Sequence, residues 1–177
     1  MNNVPSVAGK TTGKIMMIAA WLIGMLWAIK FFAAWEADQR NPNKDPQSSY
    51  KKDYNEVTLE SGRAGHYLAN GYINGQSVVL LLDTGASQVS VSEAIASRLN
   101  LKKGMSIEVD MANGLAKGWM TTLNDIRLGT IKIDNIPATI LPNMTDEVLL
   151  GMNFLRELEL IRHRNGQLTL RQYKSNE

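Results

Sequence analysis

Apolar residues follow two different patterns along this chain. Residues 15–35 are almost continuously apolar, with Lys30 as the one charged residue among them. As a helix, this segment would be about 31 Å long at ~1.5 Å per residue, which matches the ~30 Å hydrocarbon thickness of a bilayer. From residue 54 onward, short apolar runs alternate with polar residues and turn signals. The pattern predicts one membrane-spanning helix followed by a domain built mainly of strands.

A cleaved signal peptide is the alternative interpretation of residues 15–35. The apolar core of a signal peptide is usually shorter, and an Ala-x-Ala-like site follows it. Here Phe32 stands two positions before Ala34, and Trp35 two positions before Ala37, so neither alanine completes such a site. We therefore predict a retained anchor that contacts membrane lipid. Two basic residues precede the span and two follow it closely, so the positive-inside rule leaves its orientation open.

Composition divides the chain into four parts. Residues 1–14 form a short polar tail, 15–35 the predicted transmembrane helix, 36–53 a linker, and 54–177 a globular domain. The linker is polar and contains two prolines and two adjacent serines, which is typical of a connecting segment. The domain is long enough to bury a core of its own.

The domain contains four Asn-Gly dipeptides, at residues 70–71, 74–75, 113–114 and 165–166. Asn-Gly between apolar runs favours a type I′ hairpin turn, because both residues tolerate positive φ. Predicted strands flank two of these turns, over 65–73 and 76–82, and over 158–164 and 167–170. Helical signals are confined to residues 92–99, with Ser92 as N-cap, and 152–158. We therefore predict an all-β barrel or sandwich with one or two short helices.

Composition also excludes several kinds of site. Charge is nearly balanced, with 19 basic and 17 acidic residues. The sequence contains no basic stripe with interleaved aromatics, so it gives no indication of nucleic-acid binding. The chain has no cysteine, which excludes disulfides, thiol catalysis and thiolate metal sites. The two histidines, His66 and His163, have no acidic cluster near them in sequence. We therefore predict neither a metal site nor a cofactor.

One carboxylate stands out by its position. Five apolar residues, 78–82, lead directly into Asp83-Thr84-Gly85-Ala86-Ser87. An unpaired carboxylate at the end of a buried strand is costly to remove from water, so its position requires a reason. The glycine permits a sharp turn and close approach of other groups to the backbone. The alternative is an ordinary polar turn in which Asp83 caps a neighbouring amide.

Three segments, in the same order, resemble the retropepsin-like aspartic protease family. The first is the Asp-Thr-Gly loop after an apolar strand, residues 81–86. The second is a hairpin over 105–122 that resembles the substrate-binding flap, with the tip Met111-Ala112-Asn113-Gly114-Leu115-Ala116. The third is Leu149-Leu150-Gly151 followed by a short helix. The resemblance covers about residues 67–170 and implies a retropepsin-like acid-protease β-barrel.

The resemblance also implies residue roles. This chemistry uses one ionised and one protonated carboxyl group, and the chain contains a single Asp-Thr-Gly. The second carboxylate is then expected from another copy in a two-fold homodimer, with Asp83 as catalytic acid or base. Thr84 is expected to direct its hydroxyl across the dimer axis, and Gly85 to allow close approach. Ala86 and Ser87 would support the loop, and Ser87 would orient the carboxylate by a hydrogen bond.

The predicted protein is thus a membrane-anchored homodimeric aspartic endopeptidase that acts on polypeptides. The resemblance to membrane-anchored bacterial members implies one span in the bacterial inner membrane, with the protease domain in the periplasm. The alternative is a catalytically inactive barrel that binds a partner protein through the same cleft or dimer surface. The two interpretations differ in whether Asp83 carries chemistry or only holds the loop in shape.

Overall fold

The computed structural model of the protein describes residues 8–62, 65–111, 114–142 and 144–174. The chain forms two compact units, Met1–Gln39 and Arg40–Glu177. Helix α1 spans Ala8–Arg40, and its part Gly13–Glu36 is long and apolar enough to cross a membrane. The large apolar side chains of this part are exposed, up to 77% for Trp27. A helix that is apolar on all sides needs a cover of protein or lipid.

The second unit is built mainly of strands, as predicted. Its strands are β1 (Gln47–Tyr50), β2 (Tyr54–Leu59), β3 (Tyr67–Ile73), β4 (Gln76–Leu82), β5 (Val89–Ser92), β6 (Ser106–Met111), β7 (Gly114–Leu128), β8 (Ile131–Leu141), β9 (Glu147–Leu150), β10 (Glu159–Arg162) and β11 (Leu168–Tyr173). Its two short helices are α2 (Glu93–Arg98) and α3 (Met152–Leu155). The predicted N-cap is confirmed, because the Ser92 side chain accepts a hydrogen bond from the Ile95 amide at 3.2 Å.

The strands form two sheets. The larger has the order β3-β4-β9-β5-β8-β7-β6, and an additional pairing of β3 with β7 closes it into a barrel. Strand β9 lies between β4 and β5, parallel to β4 and antiparallel to β5. The smaller sheet has the order β1-β2-β11-β10 and joins early and late strands of the domain. The predicted all-β barrel with short helices is confirmed.

The core lies inside the barrel and explains the apolar run that precedes Asp83. In β4, Val78, Leu80 and Leu82 are buried and alternate with the half-buried Val79 and Leu81. This alternation follows from the pleat of a strand, which directs successive side chains to opposite faces. The fully buried side chains of the core include those of Leu80, Leu123, Ile126, Ile140, Leu150 and Phe154.

The smaller sheet carries a polar cluster beside two tyrosines. Arg171 Nε pairs with Glu56 Oε2 at 2.7 Å, and the Tyr173 hydroxyl donates to Glu159 Oε2 at 3.0 Å. The hydrogen bond to Glu56 raises the pKa of Arg171, and the hydrogen bond to Glu159 raises the pKa of Tyr173. The Arg171 guanidinium also lies 4.9 Å from the centre of the Tyr54 ring. These contacts join β2, β11 and β10 across the sheet.

The Asn-Gly dipeptides have different outcomes. Asn74 and Gly75 have φ of 50° and 78° and form the predicted turn between β3 and β4. Residues 70–71 lie inside β3, as in the predicted strand over 65–73, so this Asn-Gly pair forms no turn. A Cβ at Gly71 would lie 2.3 Å from Leu80 Cδ1 and 2.5 Å from Arg127 O, so this glycine serves close packing. The turn near 165–166 is present, with φ of 89° at Gly166.

Structured elements occupy much of the range 36–53, which the sequence predicts as a linker. Helix α1 continues to Arg40, and β1 pairs with β2 over its four residues. Asn41 and Asn43 are 9% and 3% exposed. The polarity of this segment therefore reflects side chains that hydrogen-bond to the domain as well as side chains that face water.

Candidate active site

The loop 83–88 connects β4 to β5 and passes over the end of β9. It is held there by backbone hydrogen bonds, from Asp83 N to Leu150 O (3.1 Å), Met152 N to Ala86 O (2.8 Å) and Asn153 N to Ser87 O (3.1 Å). Because β9 is parallel to β4 and in register from Val79–Glu147 to Leu82–Leu150, both strands end at the same level. The loop therefore rests on the segment that connects β9 to α3.

Gly151 allows this close contact. A Cβ at Gly151 would lie 2.5 Å from Gln88 O, 2.6 Å from Gln88 C and 2.7 Å from Gln88 N. All three atoms belong to the backbone, so no side-chain rotation could relieve the overlap. The Leu149-Leu150-Gly151 element thus packs beneath the loop.

The Asp83 carboxylate is half-buried and is held by its own loop. Its Oδ1 accepts a hydrogen bond from the Gly85 amide at 2.8 Å, and the Ala86 amide donates to the Asp83 carbonyl at 3.3 Å. Within the described residues, no ion pair reaches this carboxylate and Oδ2 has no hydrogen-bond donor. Oδ1 is thus oriented by a backbone amide, and Oδ2 is available to another group.

The other predicted loop residues lie around this carboxylate. Thr84, Gly85 and Ser87 are exposed, and Ala86 is half-buried. Among the described residues, the Ser87 hydroxyl makes no hydrogen bond to Asp83; the contribution of Ser87 is its carbonyl, which accepts from Asn153 N. The Gly85 amide orients the Asp83 carboxylate, whereas the resemblance implied that the Ser87 hydroxyl would do so.

Asn153 supports the loop that carries Asp83, although it is not among the site residues predicted from the sequence. Its Oδ1 accepts a hydrogen bond from Val89 N at 2.9 Å, and its Nδ2 donates to Pro137 O at 2.8 Å. One side chain thus joins α3 to β5 and β8 directly behind the loop. The available signal was a single amide residue within the apolar segment 148–155, where a polar side chain needs a hydrogen-bond partner.

The predicted flap is a hairpin of β6 and β7. Met111 pairs with Gly114 in its register, and the predicted tip residues Ala112 and Asn113 lie outside the described residues. Gly114 has φ of +110° and Leu115 is 74% exposed, while Ala116 is half-buried. The register pairs Met111 with Gly114, which makes Gly114 the first residue of β7.

Gly118 marks the base of this hairpin. A Cβ there would lie 2.8 Å from Leu141 Cδ2 and 3.0 Å from Ile140 O, so β7 packs directly against β8 at this point. Beyond Gly118, the described hairpin residues are half-buried or exposed. The hairpin therefore projects from a fixed base, and the loop that carries Asp83 is a separate element seated on β9.

Among the described residues, no group of three or more His, Asp or Glu side chains has the arrangement of a metal site. The groups that the loop itself presents are the Asp83 carboxylate, backbone amides and the hydroxyls of Thr84 and Ser87.

Comparison with known proteins gives matches in sequence. A family model described as "gag-polyprotein putative aspartyl protease" matches residues 69–157, which include the loop, the hairpin and α3. An uncharacterized protein from the cobV 5′ region of a Sinorhizobium species is 33% identical over 120 residues, or 66% of this chain and 52% of its own length. An uncharacterized protein of Rickettsia prowazekii is 26% identical over 117 residues, or 64% of this chain and 50% of its own length. The chain spans about half the length of these curated relatives.

The fold also has a counterpart among solved structures. The crystal structure of a retropepsin-like aspartic protease from Rickettsia conorii superposes with a TM-score of 0.57 and 22% sequence identity. The match covers 75% of this chain and 98% of that chain. At this level of identity, the likeness concerns the arrangement of the strands.

Proposed function

Because this chain belongs to the retropepsin-like aspartic protease family, we propose that it is a membrane-anchored aspartic endopeptidase whose active site forms when two copies meet. The observation that carries the proposal is the Asp83 carboxylate. It stands at the end of β4, oriented by the Gly85 amide, in a loop seated on β9. The hydrogen bond to Gly85 is also the bond of an ordinary polar turn, so the support for a catalytic Asp83 comes from the seat of the loop on β9 and from the family match over residues 69–157.

Dimer formation follows from the number of carboxylates that the reaction requires. As is well known for aspartic proteases, two neighbouring carboxyl groups share one proton, because like charges at short distance cannot both ionise easily. The chain has one Asp-Thr-Gly. Thr84 and Gly85 are exposed at the same loop, so this surface is open to a second copy. In the proposed dimer, the Thr84 hydroxyls reach across the two-fold axis and stiffen the paired loops.

Hydrolysis then proceeds by proton transfers between the two Asp83 side chains, a water molecule and the peptide. The ionised carboxylate takes a proton from the water as its oxygen attacks the carbonyl carbon of the substrate. The protonated carboxyl of the other copy donates its proton to the carbonyl oxygen, which gives a neutral tetrahedral diol. The carboxyl that took the proton from water then donates it to the amide nitrogen, and the other carboxylate accepts a proton from a diol hydroxyl. Breakage of the C–N bond releases an acid and an amine, and the carboxyl pair returns to its starting protonation. The Gly85 amide keeps Oδ1 oriented throughout these steps.

The β6–β7 hairpin supplies the cover of the cleft. Met111 and residues 114–116 lie beyond the base at Gly118, where packing against β8 ends. Closure of such a hairpin over bound peptide excludes water from the reacting bond and holds the peptide in place. In this proposal, the protease domain, residues 54–177, lies in the periplasm, and the anchor, residues 15–35, lies in the bacterial inner membrane.

A peptide-library assay with the full-length protein in detergent tests the proposed function. The matched control is Asp83→Asn, which keeps the shape of the side chain and its acceptor for the Gly85 amide. We expect cleavage by the wild type and at least a thousandfold lower rate for Asp83→Asn, because the carboxylate chemistry is lost. Peptide binding without cleavage by either protein would favour a binding module, and equal cleavage by both would assign the reaction to other residues.

A further inference from the structure

The Asn43 side chain binds the segment before β1 to strands of the domain. The residue is 3% exposed. Its Nδ2 donates to Glu60 O at 2.9 Å and to Leu68 O at 2.7 Å, and its Oδ1 accepts from Glu60 N at 2.6 Å. Glu60 follows β2 and Leu68 belongs to β3, so one side chain joins strands of the two sheets.

The backbone of Asn43 is also bound to the domain. Its carbonyl accepts a hydrogen bond from Asn70 N at 2.9 Å, and its amide donates to Asn41 Oδ1 at 3.1 Å. Asn41 Nδ2 in turn donates to Asn70 Oδ1 at 3.0 Å. Release of this segment would break the hydrogen bonds to partly buried polar groups of Glu60, Leu68 and Asn70, which opposes its release. We call Asn41, Asn43 and these hydrogen bonds the asparagine clamp.

Strand β1 holds the next part of the same segment. Residues Gln47–Tyr50 pair with β2 in antiparallel register, from Gln47–Thr58 to Tyr50–Asn55. The chain from residue 41 to residue 50 is thus held by the domain at both ends. Peptide bonds within a paired strand are also poor substrates, because a protease cleft needs an extended and unpaired chain.

The clamp shortens the part of the chain that can act as a tether. The candidate span ends at Glu36, and Asn41 is reached after only four intervening residues. These residues can extend by no more than about 18 Å. A folded unit of this length has a diameter of roughly 40 Å. By chain length alone, Asp83 therefore lies within about 60 Å of the end of the span, whereas a free linker over residues 36–53 would add roughly 45 Å to that limit.

We propose that the asparagine clamp confines cleavage to polypeptide segments close to the membrane surface, so that the substrate class is the juxtamembrane parts of membrane-bound polypeptides. The inference rests on the proposed endopeptidase function and on the proposed anchor. It adds that access is set by distance from the bilayer as well as by the sequence of the cleaved bond. A substrate with the same cleavage sequence held beyond the limit of reach is not cut.

Full-length protein in lipid vesicles tests this inference. A cleavage sequence is first selected from a peptide library with the detergent-solubilised protein. It is then placed in two co-reconstituted single-span substrates, about ten residues from the membrane or beyond a helical spacer of about 70 residues, near 100 Å at ~1.5 Å per residue. We expect the near substrate to be cleaved at least tenfold faster than the far substrate.

A tether variant makes the test specific. About 40 flexible Gly/Ser residues inserted between Gln39 and Arg40 extend the reach by up to ~140 Å and leave the clamp residues unchanged. This variant should cleave both substrates at rates within about threefold of each other. The matched control carries the same insertion after Glu177, which adds length without changing the tether, and should behave as the wild type.

The outcomes separate the tether from the chemistry. Equal cleavage of near and far substrates by the wild type, with Asp83→Asn inactive, would overturn the tether and leave the endopeptidase standing. A far substrate that stays uncut by the insertion variant, although that variant cleaves free peptide normally, would also overturn it. Absence of free-peptide cleavage by the detergent-solubilised wild type would refute the endopeptidase, and with it the inference.

Discussion

At the scale of single residues, the position of the Asp83 loop depends on a missing side chain at Gly151. The atoms that a Cβ would meet there are all backbone atoms of Gln88, at 2.5–2.7 Å. Gly151→Ala must therefore displace either the loop or the start of α3. We expect destabilisation of about 1–3 kcal/mol, typical of overpacking, and at least a tenfold loss of kcat/KM. Thermal unfolding and peptide cleavage measure the two effects.

Gly75→Ala is the matched control for this substitution. It also replaces a glycine by alanine, but no atom lies within 4 Å of the added Cβ, and the cost is confined to a φ of +78° in the β3–β4 turn. The expected cost is about 1 kcal/mol with cleavage of free peptide preserved. If Gly151→Ala lost stability but kept full activity, the seat of the loop would not determine the position of Asp83.

The proton shared by two Asp83 carboxyls gives the second prediction at this scale. One carboxyl must stay protonated, so the cleavage rate should have its maximum at acidic pH and fall as pH rises. Initial rates on a chosen peptide between pH 3 and pH 9 measure the profile. A rate that still increased at pH 9 would contradict a carboxyl pair.

Unfolding of the smaller sheet would not imitate this decline. The hydrogen bond to Glu159 raises the pKa of Tyr173 above its ordinary value of 10.0. A raised pKa means that the hydroxyl contributes its stability fully below pH 10 and loses it only as pH rises through the higher value. Thermal unfolding at each pH serves as the control, and it should show the Tyr173 contact intact where the rate falls.

At the scale of elements, the hairpin of β6 and β7 depends on the backbone of Gly114. Its φ of +110° is unfavourable for a β-branched side chain, although no atom would obstruct a Cβ. Gly114→Val should therefore lower kcat/KM at least tenfold and leave the barrel folded, at a cost of about 1–2 kcal/mol for the positive φ. Leu115→Val places a β-branched residue at the adjacent exposed position and should stay within about twofold of wild type. Equal activity of the two variants would show that the backbone conformation at Gly114 does not matter for cleavage.

Several elements could be predicted from sequence because their signals are local. Asn74-Gly75 carries the conformation of its own turn, and Ser92 caps the helix that begins one residue later. The apolar run 78–82 likewise indicates a strand without knowledge of its neighbours. These signals, with the three segments that resemble the family, were enough to predict the barrel and to select Asp83.

Other features depend on residues that are distant in sequence. Position 71 requires a glycine because a Cβ there would overlap Leu80 Cδ1 and Arg127 O. The Asn70-Gly71 pair therefore lies inside a strand, although Asn-Gly favours a turn. Asn43 looks like a linker residue until Glu60 and Leu68 are brought to it. Asn153 could be suspected from its apolar surroundings, but its partners could not be named. Tertiary contacts override local preference at these positions.

At the scale of the whole molecule, the proposed site requires two intact chains. A fixed amount of wild-type protein mixed with a ninefold excess of Asp83→Asn would, by random pairing, leave about one tenth of the wild-type chains in wild-type dimers. Peptide cleavage should therefore fall about tenfold. Subunit exchange must be shown in the same samples, for example with differently tagged chains. Undiminished cleavage in a population of proven heterodimers would mean that one Asp83 is sufficient.

The anchor provides a further prediction at this scale. The large apolar side chains of Gly13–Glu36 are exposed, and the only charged residues of this range are Lys14, Lys30 and Glu36, so the full-length protein should remain in the membrane fraction after alkaline carbonate washing. A reporter fused after Glu177 should be active in the periplasm. Extraction by carbonate would contradict the anchor, and a reporter active only in the cytoplasm would reverse the orientation.

The position of β9 between β4 and β5 determines when the barrel can fold. Leu82 must pair with Leu150, and β2 must pair with β11 near the end of the chain. Pairing over such long separations is slow and requires nearly the entire domain. A chain that emerges from its N-terminus during synthesis or export presents the Asp83 loop long before its seat exists. Under the proposed function, no nascent or truncated chain can hydrolyse a peptide bond, and activity begins only after the last strands have arrived.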